Sequence, residues 1–354
     1  MPAVSRSTRT LLFLVLLCGG LYFAKGFLVP IVFAALLAIL VMPVNNWLEQ
    51  KGLSKALSAV LCVLMLLTIV SGVVALLWWQ LAGLAQDADQ VAGQLNKVPA
   101  RLQEYIHQKI GIPVAKQQQM IKEQGAGISS GAGGKIAGAA GSVVSMLGTS
   151  LLVTVYIFLF VYYRLHLEAF VLRLVAVDEK ERTKTIISSS GDVARQYISG
   201  LGIMVGLLWV LYGIGFSIIG VKHALFFAVL CGLLEIMPYV GNLSGTLLTA
   251  AMAFTQGGSS MALWVLLVYG IIQFTQTYLI EPLVVGARVS INPLCTIVII
   301  VLGEAIWGVA GMILAIPILG IVKIVCDNIP RLQPFGFLIG EVKERRRRVA
   351  AIKE

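Results

Sequence analysis

Long stretches without charge constrain this chain more than any other feature. No charged residue occurs between Leu57 and Leu84, and a helix of about 20 apolar residues is what crosses a bilayer. Comparable apolar runs lie at Leu11 to Ala24, Phe27 to Val41, Val143 to Tyr163, Ile198 to Ile219 and Ala262 to Leu279. Two more, Ala224 to Phe254 and Pro293 to Val325, carry as charges only Glu235 in the first and Glu304 with Lys323 in the second. Only 12% of the 354 residues are charged and 58% are hydrophobic, whereas a soluble domain is about 25% charged. The chain is therefore an integral membrane protein. Lipid offers the backbone no hydrogen bonds, so the spanning segments must be helices. The expected fold is an all-α polytopic transmembrane bundle of about eight helices. One of them is broken or re-entrant, and a small helical extracytoplasmic insertion is added.

Three regions follow from the pattern. Residues 1–84 hold helices one to three. The first run resembles a signal peptide, but Ala24-Lys25-Gly26 is a poor cleavage site, which predicts an uncleaved pair of helices. Residues 85–142 form a polar insertion, with Asp87, Asp89, Arg101, Glu104, Lys109 and Lys116 in it. Leu95, Val98, Leu102, Tyr105 and Ile106 recur there at helical spacing. Residues 143–354 form a C-terminal transport region, with an amphipathic surface segment at 165–197 and a basic tail.

The formal charge of +10 would point to nucleic acid in a soluble protein. Here the basic residues sit mostly in short loops and tails, as the positive-inside rule requires. With Arg6 and Arg9 inside, three crossings place 85–142 outside, and the fourth returns Arg164, Arg173, Lys180 and Arg182 to the inside. The run Arg345 to Arg348 also falls inside, beside anionic lipid. Both termini are expected to be cytoplasmic. No aromatic residues are interleaved with the arginine run, which argues against single-stranded nucleic acid as a partner.

No enzyme signature emerges. The five cysteines make no CxxC, and the three histidines lie far apart, so no metal site is expected. The glycines around Gly134-Lys135 lack the rest of a phosphate loop, and no Gly-x-Ser-x-Gly elbow exists. No cofactor and no enzymatic activity are expected.

The polar residues inside apolar runs are the candidate chemistry. Glu235, Pro238, Tyr239, Gly241 and Asn242 interrupt one run. Pro238 has no N–H and disfavours helix at Met237, while an ionisable residue at membrane depth marks a functional site by default. Broken helices of this kind hold solutes in many transporters. Gln273, Gln276, Thr277 and Glu281 are spaced i, i+3, i+4, i+8, so one helical face is expected to collect them. Interhelical hydrogen bonding would explain the glutamines equally well. The break at Pro238 to Asn242 is expected to pack on that face, with a small polar solute between. Glu281 and Arg288 form an expected gating or structural pair, and Asn292 belongs to a further break. Glu304 sits in the run from Leu302 to Gly308 and, with Glu235, is an expected proton or cation carrier.

Met237-Pro238-Tyr239-Val240-Gly241, Glu281-Pro282-Leu283-Val284-Val285-Gly286, Asn292-Pro293, Gly308-Val309-Ala310-Gly311 and Ile316-Pro317 resemble the autoinducer-2 exporter family in order and spacing. Asn242 stands where that family usually has a second proline. The resemblance implies a multi-pass homo-oligomer of the bacterial inner membrane, a pentamer, that exports a small polar solute such as a quorum-sensing signal without hydrolysing ATP. It also leaves room for sodium or lithium/proton antiport. A membrane scaffold or assembly role is the alternative of another class.

The charge bias generates a direct test. A cysteine introduced near Gln118 should react with an impermeant reagent in intact cells, and one near Ile352 should not. The opposite pattern would reverse the topology.

Overall fold

The computed structural model describes residues 6–86, 148–237, 240–284 and 291–341. The expected insertion beyond Gln86, together with Pro238, Tyr239, Arg288 and the tetra-arginine run, lies outside the described residues. The chain is an all-α polytopic helical bundle; among the described residues the one β feature is an isolated bridge between Ile291 and Gly340. Five helices are long and apolar enough to cross a membrane, or six if the bent pair Gly148–Tyr162 and Arg164–Arg173 counts as one span.

In chain order the helices are α1 Arg6–Phe23, α2 Lys25–Gln50, α3 Lys55–Gln86, α4 Gly148–Tyr162, α5 Arg164–Arg173 and α6 Lys180–Ile219. Then come α7 Ala224–Leu234, α8 Val240–Thr275, a π-helical turn Gln276–Ile280 and α9 Glu281–Val284. The last three are α10 Pro293–Trp307, α11 Val309–Asn328 and α12 Gln333–Ile339. The surface of these helices is rich in exposed apolar side chains, among them Trp78, Trp79, Leu263 and Trp264. That pattern suits lipid, which solvates leucine and tryptophan as well as a protein core does.

Two expectations need correction. The surface segment 165–197 is only partly separate: α5 leaves α4 at 67°, but from Lys180 the chain is already in the 40-residue helix that carries the fifth span. No proline interrupts that sequence, so nothing stops the helix at the membrane boundary. The expected eighth helix, Pro293 to Val325, is two helices. Gly308, at φ 63 and ψ −142, reverses the chain, a backbone that glycine alone adopts readily. Gly303 and Gly311 then let the two backbones touch, since a Cβ on either would fall on the other's carbonyl.

Ala224 to Phe254, expected to be broken or re-entrant, is a helical hairpin. The turn follows Leu234, and α8 runs back along α7. Gly245 packs on Cys231, whose Sγ lies 3.4 Å from Thr249 Oγ1. At the base, Lys222 N donates to Gln256 Oε1 at 2.9 Å. α8 then bends at Gly258, at φ 71 and ψ −160, so the seventh span begins there.

Two compact units make up the chain. The first comprises 1–64, 153–203 and 281–354. Its core joins Leu36 of α2, Ala194 of α6 and Leu314 of α11. The α10–α11 hairpin is tied to α1 by Trp307 Nε1, which donates to Leu21 O at 3.0 Å. A polar knot holds α2, α3 and the α4–α5 elbow. Arg164 donates twice to Glu49, at 2.8 and 2.6 Å, while Asn45 donates to Glu49 at 2.9 Å and Ser58 to Asn45 at 2.9 Å. The second unit comprises 65–152 and 204–280. There Tyr212 and Phe216 of α6 are fully buried, and Tyr212 stacks on Tyr269 of α8.

The glycine contact generates a stability test. Gly311→Val should lower stability by about 1–3 kcal/mol, the cost of overpacking a close contact. Gly270→Ala, at a glycine with nothing within 4 Å of a built Cβ, should be neutral or slightly stabilising. Thermal unfolding followed in detergent decides; equal losses in both variants would contradict the hairpin contact.

Candidate functional site

The second unit contains one cluster of polar side chains at the point where α7 ends. Glu235 caps α7, its N–H bonded to Cys231 O at 3.0 Å. Ile236 and Met237 continue the turn onto Leu233 and Leu234 carbonyls. Gly241 N–H returns to Met237 O at 3.1 Å, and a side chain on Gly241 would collide with the Leu234 carbonyl. The hairpin turn is thus tight because position 241 has no Cβ.

The helix facing this turn supplies amides and a phenol. Asn242 Nδ2 donates to Gln273 Oε1 at 2.6 Å and to Glu235 Oε1 at 3.2 Å. Gln276 Nε2 donates to the same Glu235 oxygen at 2.8 Å, and lies 3.8 Å from Met204 Sδ on α6. Tyr269 Oη donates to Asn242 Oδ1, and Thr246 Oγ1 bonds Asn242 O at 3.0 Å. Glu235, Asn242 and Gln273 are half-buried, while Gln276 is 4% exposed. Both amide donors aim at one carboxylate oxygen, which is how a buried carboxylate is stabilised. The other end of Gln276 differs: its Oε1 is buried without a hydrogen-bond partner.

Four of the expected residues therefore meet, Glu235, Asn242, Gln273 and Gln276, with Gly241 shaping the turn. Thr277 and Glu281 do not join them; both are exposed. From Gln276 to Ile280 the helix runs as a π-turn. Pro238, Tyr239 and Arg288 lie outside the described residues, so the Glu281–Arg288 pair does too. Asn292 is used as a cap, its Oδ1 accepting from Leu294 N at 2.9 Å. Glu304 belongs to the first unit, one turn before the α10–α11 reversal, and is exposed.

Tyr269 was not singled out from the sequence. Its spacing gave the signal: Tyr269, Gln273 and Gln276 stand at i, i+4 and i+7, one helical face. Removing its hydroxyl tests the cluster. Tyr269→Phe should cost about 0.5–1.5 kcal/mol, the worth of one internal hydrogen bond. Leu263→Phe, on an exposed apolar position of the same helix, should cost nothing measurable in the same denaturation assay. A Tyr269→Phe protein as stable as the parent would remove the phenol from the network.

The sequence profile described as AI-2E family transporter matches residues 11–331. A Bacillus subtilis protein is 23% identical over 324 residues, covering 87% of this chain and 88% of its own. A Mycobacterium tuberculosis protein is 24% identical over 302 residues, covering 82% and 79%. An Escherichia coli protein is 19% identical over 349 residues, covering 94% of each. All three bear the name "Putative transport protein".

Proposed function

The chain belongs to the AI-2E transporter family, and on that premise we propose that it is a secondary transporter whose Glu235–Asn242–Gln273–Gln276 cluster binds a small polar solute. The solute is exported and resembles a hydroxylated quorum-sensing signal of the autoinducer-2 type. The observation that supports this is the unpaired Gln276 Oε1, buried beside a carboxylate. An orphaned buried acceptor costs about 1–3 kcal/mol. A hydroxyl arriving from a solute would relieve that cost, and a scaffold would have no use for it.

Glu235 is the coupling group in this reading. Every described amide bonded to it donates, an arrangement that suits the carboxylate form. Protonation would place a donor against donors and loosen the turn. Sodium or lithium/proton antiport through the same carboxylate is the second reading, favoured by the amide oxygens of Gln273 and Gln276 close to Glu235.

Topology and assembly complete the proposal. A hairpin returns the chain to its starting face, so α7–α8 and α10–α11 together leave the parity of crossings unchanged. The termini then share one face, cytoplasmic by the charge bias. We take the protein to be an inner-membrane homo-oligomer, a pentamer by its family resemblance.

Proteoliposomes holding the purified chain test the function. Autoinducer-2 efflux should be measurable and pH-dependent. Glu235→Gln, which imitates the protonated carboxyl, should fold and assemble but lose the pH dependence. Gln276→Leu should impair efflux at every pH. If sodium or lithium moves protons, read with a pH-sensitive dye, and autoinducer-2 does not move, antiport is the activity. An unaltered pH profile in Glu235→Gln removes Glu235 as the coupling group.

A further inference from the structure

The first unit contains a cavity of about 730 Å³ that the transport reading does not use. Its floor is apolar, built from Ala35, Ala38, Ile39 and Met42 of α2 and Phe160 of α4. At its other end Asn46, Arg164, Glu168, Lys184 and Ser188 stand among apolar side chains of α5 and α6. The polar end coincides with the elbow where α4 bends by 67° into α5, and with the Glu49–Arg164 pair at the end of α2. It therefore lies at a membrane boundary.

The dimensions match one leaflet of lipid. From Asn46 back to Ala35, α2 runs about 16 Å along its axis at roughly 1.5 Å per residue. Half of a hydrocarbon core about 30 Å thick is roughly 15 Å. A cavity of that depth, apolar below and polar at the boundary, has the amphipathic profile of a phospholipid.

The charges select the headgroup. Arg164 is neutralised by its bidentate bond to Glu49. That leaves Glu168 on α5 and Lys184 on α6, one charge of each sign. Lys184 also reaches Glu181 at 3.0 Å, but that pair is largely exposed and weak. A zwitterion satisfies both walls, its phosphate towards Lys184 and Ser188 and its ammonium towards Glu168. An anionic headgroup would face Glu168 uncompensated. We propose that this cavity is a binding site for a phospholipid with a zwitterionic primary-amine headgroup, phosphatidylethanolamine, with an acyl chain lying along Ala35, Ala38 and Ile39. The lipid would brace the elbow against α2.

Native mass spectrometry of the full chain tests this, after delipidation and titration with phosphatidylethanolamine or phosphatidylglycerol. The parent should retain phosphatidylethanolamine with a roughly two- to fivefold preference, the size of an exposed ion-pair effect. Glu168→Lys should invert that preference towards phosphatidylglycerol, and Glu168 is on a surface helix where the change should be tolerated. Ala35→Phe, which fills the floor, should lose both lipids while eluting like the parent on gel filtration. Equal retention of the two lipids in the parent, a preference for phosphatidylglycerol, or a preference that Glu168→Lys leaves in place would overturn the proposal.

Discussion

A carboxylate at membrane depth must be supplied with donors, because an unpaired charge there costs several kcal/mol. Glu235 meets that requirement through Asn242 and Gln276. The arrangement around it follows from the same need. α7 stops at Leu234 because a tight turn must bring Asn242 back to the carboxylate. Gly241 makes the turn narrow enough. The helix beyond Gly258 returns alongside to deliver Tyr269, Gln273 and Gln276. The interrupted backbone is tolerable for the same reason: it is paired within the turn and backed by amides instead of lipid.

The first unit solves a similar problem with a different result. Glu49 is surrounded by Arg164, Asn45 and Ser58, and both of its oxygens accept from Arg164. A bidentate pair of this kind is geometrically demanding. It fixes the angle at which α4 turns into the surface helix. Glu235, by contrast, accepts from the neutral amides of Asn242 and Gln276, and the other end of the Gln276 amide is a buried, unpaired oxygen. The first carboxylate is locked in place by a bidentate ion pair; a response of the second to a proton or a solute is what the proposed function requires.

The sequence made much of this legible. Length and hydropathy of the apolar runs pointed to a polytopic helical bundle, and Glu235, Pro238 and Gly241 marked the break. The same residues located most of the polar cluster, because amides at i and i+3 on one helix share a face. What stayed hidden depended on geometry that period counting does not carry. Period counting does not say how far round the helix the packed face extends, so Thr277 and Glu281 were grouped with the glutamines although both are exposed. Gly308 reads as an ordinary packing glycine until its positive φ folds α10 onto α11. Glu49 and Arg164 are 115 positions apart, and neither lies within an apolar run that would have drawn attention to it.

The central claim is that the hairpin turn packs on the Tyr269–Gln276 face and that Thr277 lies off it. Cysteine cross-linking in membranes tests it most directly, in a chain whose five native cysteines are replaced by alanine. The pair Asn242→Cys and Gln273→Cys should form a reducible link with a short bifunctional reagent. The pair Asn242→Cys and Thr277→Cys should not. Linking of the second pair but not the first would contradict the packing, and with it the site built on Glu235.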